Sequence, residues 1–266
     1  MSEISSNGSA YQLTGPGDAP VVVLIHGLGL NRSVWDAFES RFSNRYRVLR
    51  YDLFGHGESV SPPTVPTLTV FSEQLLGLMD ELNIEQGILI GFSLGGMINR
   101  RVAMDHPQRV HALGILNSPH EREPVDQKLV EQRALDSAAG GPGAALDVTI
   151  DRWFTPEFRA TSTDFIERVR SWVLANDAEI YALCRQTLAF GVVELVRAQP
   201  PITHATLVIT CENDTGSTPA MSQAIASEIP GAQVIIVPHL RHMGLSENPG
   251  FFVTALAEFV ETVLDD

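Results

Sequence analysis

Short, mostly apolar runs recur along the chain: Val21 to His26, Arg47 to Tyr51, Gly87 to Phe92, Ala112 to Leu116, Thr206 to Thr210 and Val234 to Val237. Each is bounded by turn-forming residues, the pattern of a buried strand. Between the runs the apolar spacing becomes helical. Leu68, Phe71, Leu75, Leu78, Met79 and Leu82 fall on one helix face. Near the end, Asn248 is placed to cap a helix, Pro249 suits its first turn, and Phe252, Ala255, Leu256, Phe259, Val260 and Val263 form its apolar stripe. Strands alternating with helices predict the α/β class, a mostly parallel sheet with helices on both faces.

The alternation stops after Asn117-Ser118-Pro119 and resumes near Thr206. The stretch between is largely helical in character and holds no strand-like run. Residues 119–200 therefore read as a helical cap inserted into one core built from 1–118 and 201–266. Gly140-Gly141-Pro142-Gly143 breaks one cap helix from the next, and Pro200-Pro201 closes the insertion. A chain of 266 residues accommodates this as one compact unit with an excursion.

Composition narrows the function classes. With 44% hydrophobic and 19% charged residues the chain can bury a large core, which sets disorder aside. A formal net charge of −14 argues against a nucleic-acid partner, whose phosphates require a basic face. Of the eighteen basic residues only Lys128 is a lysine, a bias that reads first as the composition of the source and only second as a supply of bidentate anion contacts. Cys184 and Cys211 form no C-x-x-C pair and suggest neither a disulfide framework nor a zinc site. The first twenty residues lack a basic start and an apolar stretch of signal-peptide length, and no run approaches a membrane span. The expectation is a cytoplasmic protein without a membrane partner.

The segment that carries chemistry is Gly91-Phe92-Ser93-Leu94-Gly95-Gly96, a G-x-S-x-G between a strand and a helix. A nucleophile on so sharp a turn leaves no room for side chains two residues to either side, and glycines relieve that crowding. The helix N-terminus behind Ser93 adds partial positive charge for a developing anion. His26-Gly27-Leu28-Gly29 closes the first long strand. It supplies one oxyanion donor, the Leu28 N–H, to join the Leu94 N–H after the nucleophile. His26 reads as structural. Asp52-Leu53-Phe54-Gly55-His56-Gly57-Glu58-Ser59 follows the next strand and reads as loop architecture, so Asp52 and His56 are not taken as catalytic partners.

In a fold of this type the chain order is Ser, then acid, then His. Glu212-Asn213-Asp214 directly follows the Thr206 run. This nominates Asp214 as the acid, with Glu212 as competitor. After Leu116 the next residues, Asn117 and Ser118, offer no carboxylate. The loop after the last strand holds His239 and His242; His242 lies deeper, before the small residues that lead into the final helix, and is the expected general base. No H-E-x-x-H and no G-x-G-x-x-G after a strand occur, so neither metal nor dinucleotide cofactor is expected.

Taken together, His26 to Gly29, Asp52 to Ser59, Gly91 to Gly96, and Asp214 with His242 resemble the α/β-hydrolase superfamily over nearly the whole chain. Haloalkane dehalogenases and epoxide hydrolases of that superfamily carry Asp at the nucleophile position, where this chain has Ser93. A narrower resemblance lies in the cap. Arg152 to Arg159 (RWFTPEFR), with Ala175-Asn176-Asp177 and Tyr181-Ala182, looks like the 3-oxoadipate enol-lactonases, cofactor-free cytoplasmic enzymes of aromatic catabolism. That resemblance implies an ester or lactone substrate, with water as co-substrate. Two other readings fit the same residues: a C–C bond hydrolase of vinylogous diketones, and a ligand receptor that has kept the fold without turnover. Candidate substrate contacts are Arg152, Trp153 and Arg241, and Arg122, Arg133, Arg152 and Arg159 are candidates for a local cluster that would bind an anion against the acidic background.

Overall fold

The computed structural model describes residues 2–136 and 140–265. Residues 137–139 of the expected cap, and Met1 and Asp266 at the ends of the expected core, lie outside the described residues. Eight strands form one sheet: β1 (Glu3–Ile4), β2 (Ala10–Thr14), β3 (Val21–Ile25), β4 (Arg47–Tyr51), β5 (Gly87–Phe92), β6 (Val110–Leu116), β7 (Ala205–Cys211) and β8 (Gln233–Val237). Their order is β1-β2-β4-β3-β5-β6-β7-β8, antiparallel at β1-β2 and β2-β4 and parallel from β4 to β8. All six apolar runs are strands. Every position of β5 is buried, so both faces of the sheet centre are covered, as a parallel sheet flanked by helices requires.

β1 and β2 were not foreseen from the apolar pattern. β2 is AYQLT, half-buried at its second end, and it gains its place by pairing Tyr11 to Thr14 against Tyr51 to Val48 of β4. β1 is a two-residue, exposed edge strand and β2 has the polar Gln12 at its centre and half-buried residues after it, so neither carries a continuous apolar run.

The helices of the core are α1 (Asp36–Phe42), α2 (Leu68–Glu81), α3 (Leu94–Asp105), α9 (Pro219–Glu228), α10 (Gly244–Glu247) and α11 (Pro249–Asp265). In α2 the Thr67 hydroxyl accepts the Val70 N–H at 3.1 Å, and Leu68, Phe71, Leu75, Leu78 and Met79 are buried as their spacing requires. Asn248 Oδ1 accepts the Phe251 N–H at 3.4 Å at the start of α11, which buries Phe252, Leu256, Phe259 and Val260.

Between β6 and β7 no strand occurs among the described residues. Five helices fill the interval: α4 (Pro124–Asp136), α5 (Leu146–Trp153), α6 (Pro156–Thr161), α7 (Thr163–Leu174) and α8 (Ala178–Phe190). α4 packs on α8, and α7 on α5 and α6. A run of ring contacts, Phe154 with Phe158 and Phe165, and Phe165 with Trp172, forms the apolar centre of this segment.

The topology determines where a site can form. After β3 the chain moves outward to β4, then returns to the other side of β3 as β5. The loops leaving β3 and β5 therefore diverge, opening a crevice at the carboxyl ends of these strands. His26 to Gly29 and Ser93 stand at that crevice.

Candidate active site

Ser93 lies between β5 and α3 with φ 55° and ψ −113°, a conformation few L residues adopt. Its surroundings enforce it. The Ser93 N–H donates to Leu116 O at 2.8 Å, and its carbonyl accepts the Gly96 N–H at 3.0 Å and the Ser118 hydroxyl at 2.9 Å. A Cβ on Gly91 would overlap the Gly95 carbonyl, and one on Gly95 would overlap the carbonyl of Ile25 in β3. These are the close approaches that the two glycines permit.

Asp214 follows β7 and is almost wholly buried. Its Oδ1 accepts the N–H groups of Gly216 and Ser217 at 2.9 and 3.0 Å. Its Oδ2 accepts the Asn117 side-chain amide at 2.8 Å and lies 2.6 Å from His242 Nδ1. Burial by itself would raise this carboxyl, but the charge and hydrogen bond of His242, with the bonds from Asn117 and Ser217, outweigh it and hold the group below its ordinary value. An ionised carboxylate can only accept, so the proton in the 2.6 Å bond belongs to His242 Nδ1. His242 Nε2 is then left with its lone pair as the basic nitrogen. The imidazole is flanked by the rings of Phe92 and Trp153, at 4.9 and 5.9 Å between centroids. Ser93, His242 and Asp214 line one cavity of about 420 Å³, together with Gly27 and Leu28.

This arrangement holds a hydroxyl on a strained turn and an oriented imidazole on the same cavity, the parts needed for proton abstraction and nucleophilic attack. Residues 22–255, running from β3 into α11, match the alpha/beta hydrolase family. The chain belongs to that family.

Among relatives of this alpha/beta hydrolase is the 3-oxoadipate enol-lactonase 2 of Acinetobacter baylyi, 27% identical over 91% of this chain and 89% of its own length. The (E)-2-((N-methylformamido)methylene)succinate hydrolase of the same organism is 26% identical over 98% of this chain and 97% of its own. Among solved structures, the enol-lactonase of Burkholderia xenovorans LB400 superposes with a TM-score of 0.86 at 28% identity, covering 96% of this chain and 98% of that one.

Other residues of the hydrolase fall into place around the three. Neither Leu28 nor Leu94 donates its N–H to another backbone group among the described residues; Leu94 opens α3, where the first amides have no helical acceptor. His26 is fully buried, with Nδ1 2.8 Å from Gly27 O and Nε2 accepting the Leu53 N–H at 2.9 Å, which ties the β3 loop to the β4 loop. Asp52 accepts the N–H groups of Arg32 and Glu58 and pairs with the Arg32 guanidinium, away from His242. Glu212 accepts the His239 N–H at 2.8 Å, and the His239 side chain is 90% exposed. Neither joins the cavity.

The structure brings Trp153, Arg152, Arg122 and Arg133 to the cavity and leaves Arg159 and Arg241 outside it. Arg159 pairs with Asp151. The Arg241 guanidinium donates to the carbonyls of Asp151 and Phe154, at 3.3 Å to the latter, and the Met243 N–H donates to Trp153 O at 2.8 Å. Thr155 adds two bonds to the Glu247 carboxylate, at 2.8 and 2.5 Å. The loop that carries His242 is thus tied to α5 and α6. Asn117, Tyr181 and Arg185 are site residues that sequence reasoning missed. For Tyr181 and Arg185 a signal exists: with Leu188 and Ala189 they lie at i, i+4, i+7 and i+8 on α8, one helix face. Among the described residues no group of three or more His, Cys, Asp or Glu side chains is placed to hold a metal ion.

Proposed function

We propose that this protein is a serine hydrolase of carboxylic esters or lactones, working through an acyl-enzyme on Ser93. The observation that carries the reading is the 2.6 Å bond between His242 Nδ1 and Asp214 Oδ2, which leaves Nε2 as the basic atom on the cavity that Ser93 lines. His242 Nε2 takes the Ser93 proton as Oγ attacks the carbonyl carbon. The N–H groups of Leu28 and Leu94 receive the resulting oxyanion. Collapse breaks the bond to the leaving oxygen, which accepts the proton from His242; in a lactone it stays tethered as an enol that tautomerises to the ketone. Water then gives a proton to Nε2 as its oxygen attacks the acyl carbon, the acyl–Oγ bond breaks, and Ser93 recovers its proton. Asp214 stays ionised and supports the imidazolium in both half-reactions.

Residues 119–200 act as the cap that selects the substrate. The favoured class is an enol-lactone, supported by the likeness to two enol-lactonases and by the placement of Arg152 and Trp153 on the cavity wall. The test is hydrolysis of p-nitrophenyl acetate, an enol-lactone and a vinylogous diketone by purified protein. Ser93→Ala is expected to lower kcat by about four to six orders of magnitude. Retention of most of the activity in that variant would refute the nucleophile, and faster turnover of the diketone would move the chemistry to C–C cleavage.

A further inference from the structure

Four arginines line the cavity that holds Ser93 and His242: Arg122 just before α4, Arg133 on α4, Arg152 near the end of α5 and Arg185 on α8. Among the described residues none of the four is ion-paired, whereas Arg32, Arg45, Arg50, Arg101, Arg109, Arg159, Arg170 and Arg197 are; Arg41, Arg47, Arg100, Arg168 and Arg241 also have no ion pair, but they lie outside this cavity, and Arg47, Arg100 and Arg241 donate to backbone carbonyls instead. The contrast does not reflect a shortage of anions, since the chain carries 32 acidic residues against 18 basic ones. Asp126 acts on Arg122 and Asp214 on Arg152 through their fields, but neither forms an ion pair with it, and both oxygens of Asp214 are already engaged.

The arginines also act on one another. Desolvation by the surrounding protein lowers the proton affinity of Arg152, and the positive charges of Arg185 and Arg133 lower it further. Tyr181, which lines the same cavity, responds to the charges of both Arg185 and Arg152. Like charges gathered in one cavity without counter-ions repel, and a fold retains them where a ligand supplies the missing anions. Each guanidinium presents a planar fork that matches one carboxylate bidentately, so Arg133, Arg152, Arg185 and Arg122 exceed what a single carboxylate engages.

We infer that the cavity binds a ligand with two free carboxylates, and hence that the ester or lactone opened at Ser93 carries two carboxylates besides the carbonyl under attack. A cavity of about 420 Å³ suits a small diacid of this kind. The inference rests on the hydrolase reading for its second half only, and the experiment separates the two.

Binding of glutarate, pentanoate and inorganic phosphate to the wild-type protein is measured by calorimetry at low ionic strength. Glutarate and pentanoate share a five-carbon chain and differ by one carboxylate. Glutarate is expected to bind at least tenfold more tightly than pentanoate, and the ratio to fall toward one in the Arg133→Gln/Arg185→Gln variant. Equal or tighter binding of pentanoate by the wild type overturns the inference, as does tighter binding of phosphate than of glutarate. An unchanged preference in a folded double variant also overturns it. The wild-type comparison needs no variant and decides even where the substitutions prevent folding. Hydrolysis of p-nitrophenyl acetate, a neutral ester, is followed in parallel with Ser93→Ala as control. Ester hydrolysis without glutarate preference refutes the diacid alone, and glutarate preference without Ser93-dependent hydrolysis refutes the hydrolase reading while the diacid site stands.

Discussion

Asn117 bears directly on how well His242 is held. It donates to the same Asp214 oxygen that receives His242 Nδ1, and it adopts φ 44°, a left-handed conformation that Asn and Gly tolerate. Asn117→Gly removes the amide while keeping the backbone conformation, so it tests the side chain's bonds, of which the 2.8 Å bond to Asp214 is the shortest, beside longer contacts to Thr210 at 3.4 Å and from Cys211 at 3.9 Å. A bond to a charged group contributes about 1.5–3 kcal/mol. If it holds Asp214 in place for the imidazolium of the transition state, kcat for ester hydrolysis is expected to fall by roughly 10- to 100-fold with KM little changed. A loss confined to KM would assign Asn117 to substrate binding instead. In the sequence Asn117 reads only as a residue unable to supply a carboxylate. Its role depends on a partner 97 residues away, and a single sequence carries no mark of such a pair.

Among the elements, the junction of β5 with α3 was the most legible. Its strand run, its glycines and the following helix are contiguous, so local stereochemistry specifies the turn without reference to the rest of the fold. Gly95 shows how little slack the junction has. A Cβ there would overlap Ile25 O and come within 2.8 Å of His26 O, both backbone atoms of the β3 end that cannot rotate aside. Gly95→Ala is expected to lower unfolding stability by at least about 1–3 kcal/mol, the usual cost of overpacking, read from the urea midpoint. Esterase activity should fall with it, because the displaced segment includes the Leu28 N–H. An unchanged midpoint would mean that α3 can slide to make room. The helices between β6 and β7 were legible as helices and not as walls. Periodicity places Tyr181 and Arg185 on one face of α8, but only the packing of α8 on α4 turns that face toward Ser93.

For the molecule as a whole, two buried histidines make stability depend on pH in the mildly acid range. Burial lowers His26 from 6.5 to about 4. It lowers His56 to about 3, with the neighbouring His26 adding to the effect. Nε2 of His26 already accepts the Leu53 N–H and has no room for a proton. The unfolded chain binds protons at both sites as pH drops below 6.5, and the folded chain does not. Stability from these groups is therefore complete above pH 6.5 and is lost as pH falls toward 4 and 3, at up to about 1.4 kcal/mol per pH unit for each histidine. Urea unfolding between pH 7 and 5, above the range where most carboxylates titrate, should show this slope, and His26→Gln should reduce it. A halved slope would mean that one of the rings is protonated in the fold, and a flat profile that both are.

The six apolar strands, the helical stretches, the glycine-flanked turn at Ser93 and the order in which Ser93, Asp214 and His242 follow their strands were legible in the sequence alone. Each is encoded in adjacent residues or in the order of elements, where steric rules and hydrophobic period act directly. Tertiary structure alone decided the edge pairing of β1 and β2 and the reach of Asn117 to Asp214. It also turned Arg241 onto backbone carbonyls of the helical segment and gathered Arg122, Arg133, Arg152 and Arg185 on one cavity. Those outcomes depend on the angles and offsets at which distant elements pack. A period of 3.6 states which face of a helix is buried and leaves open what that face will meet.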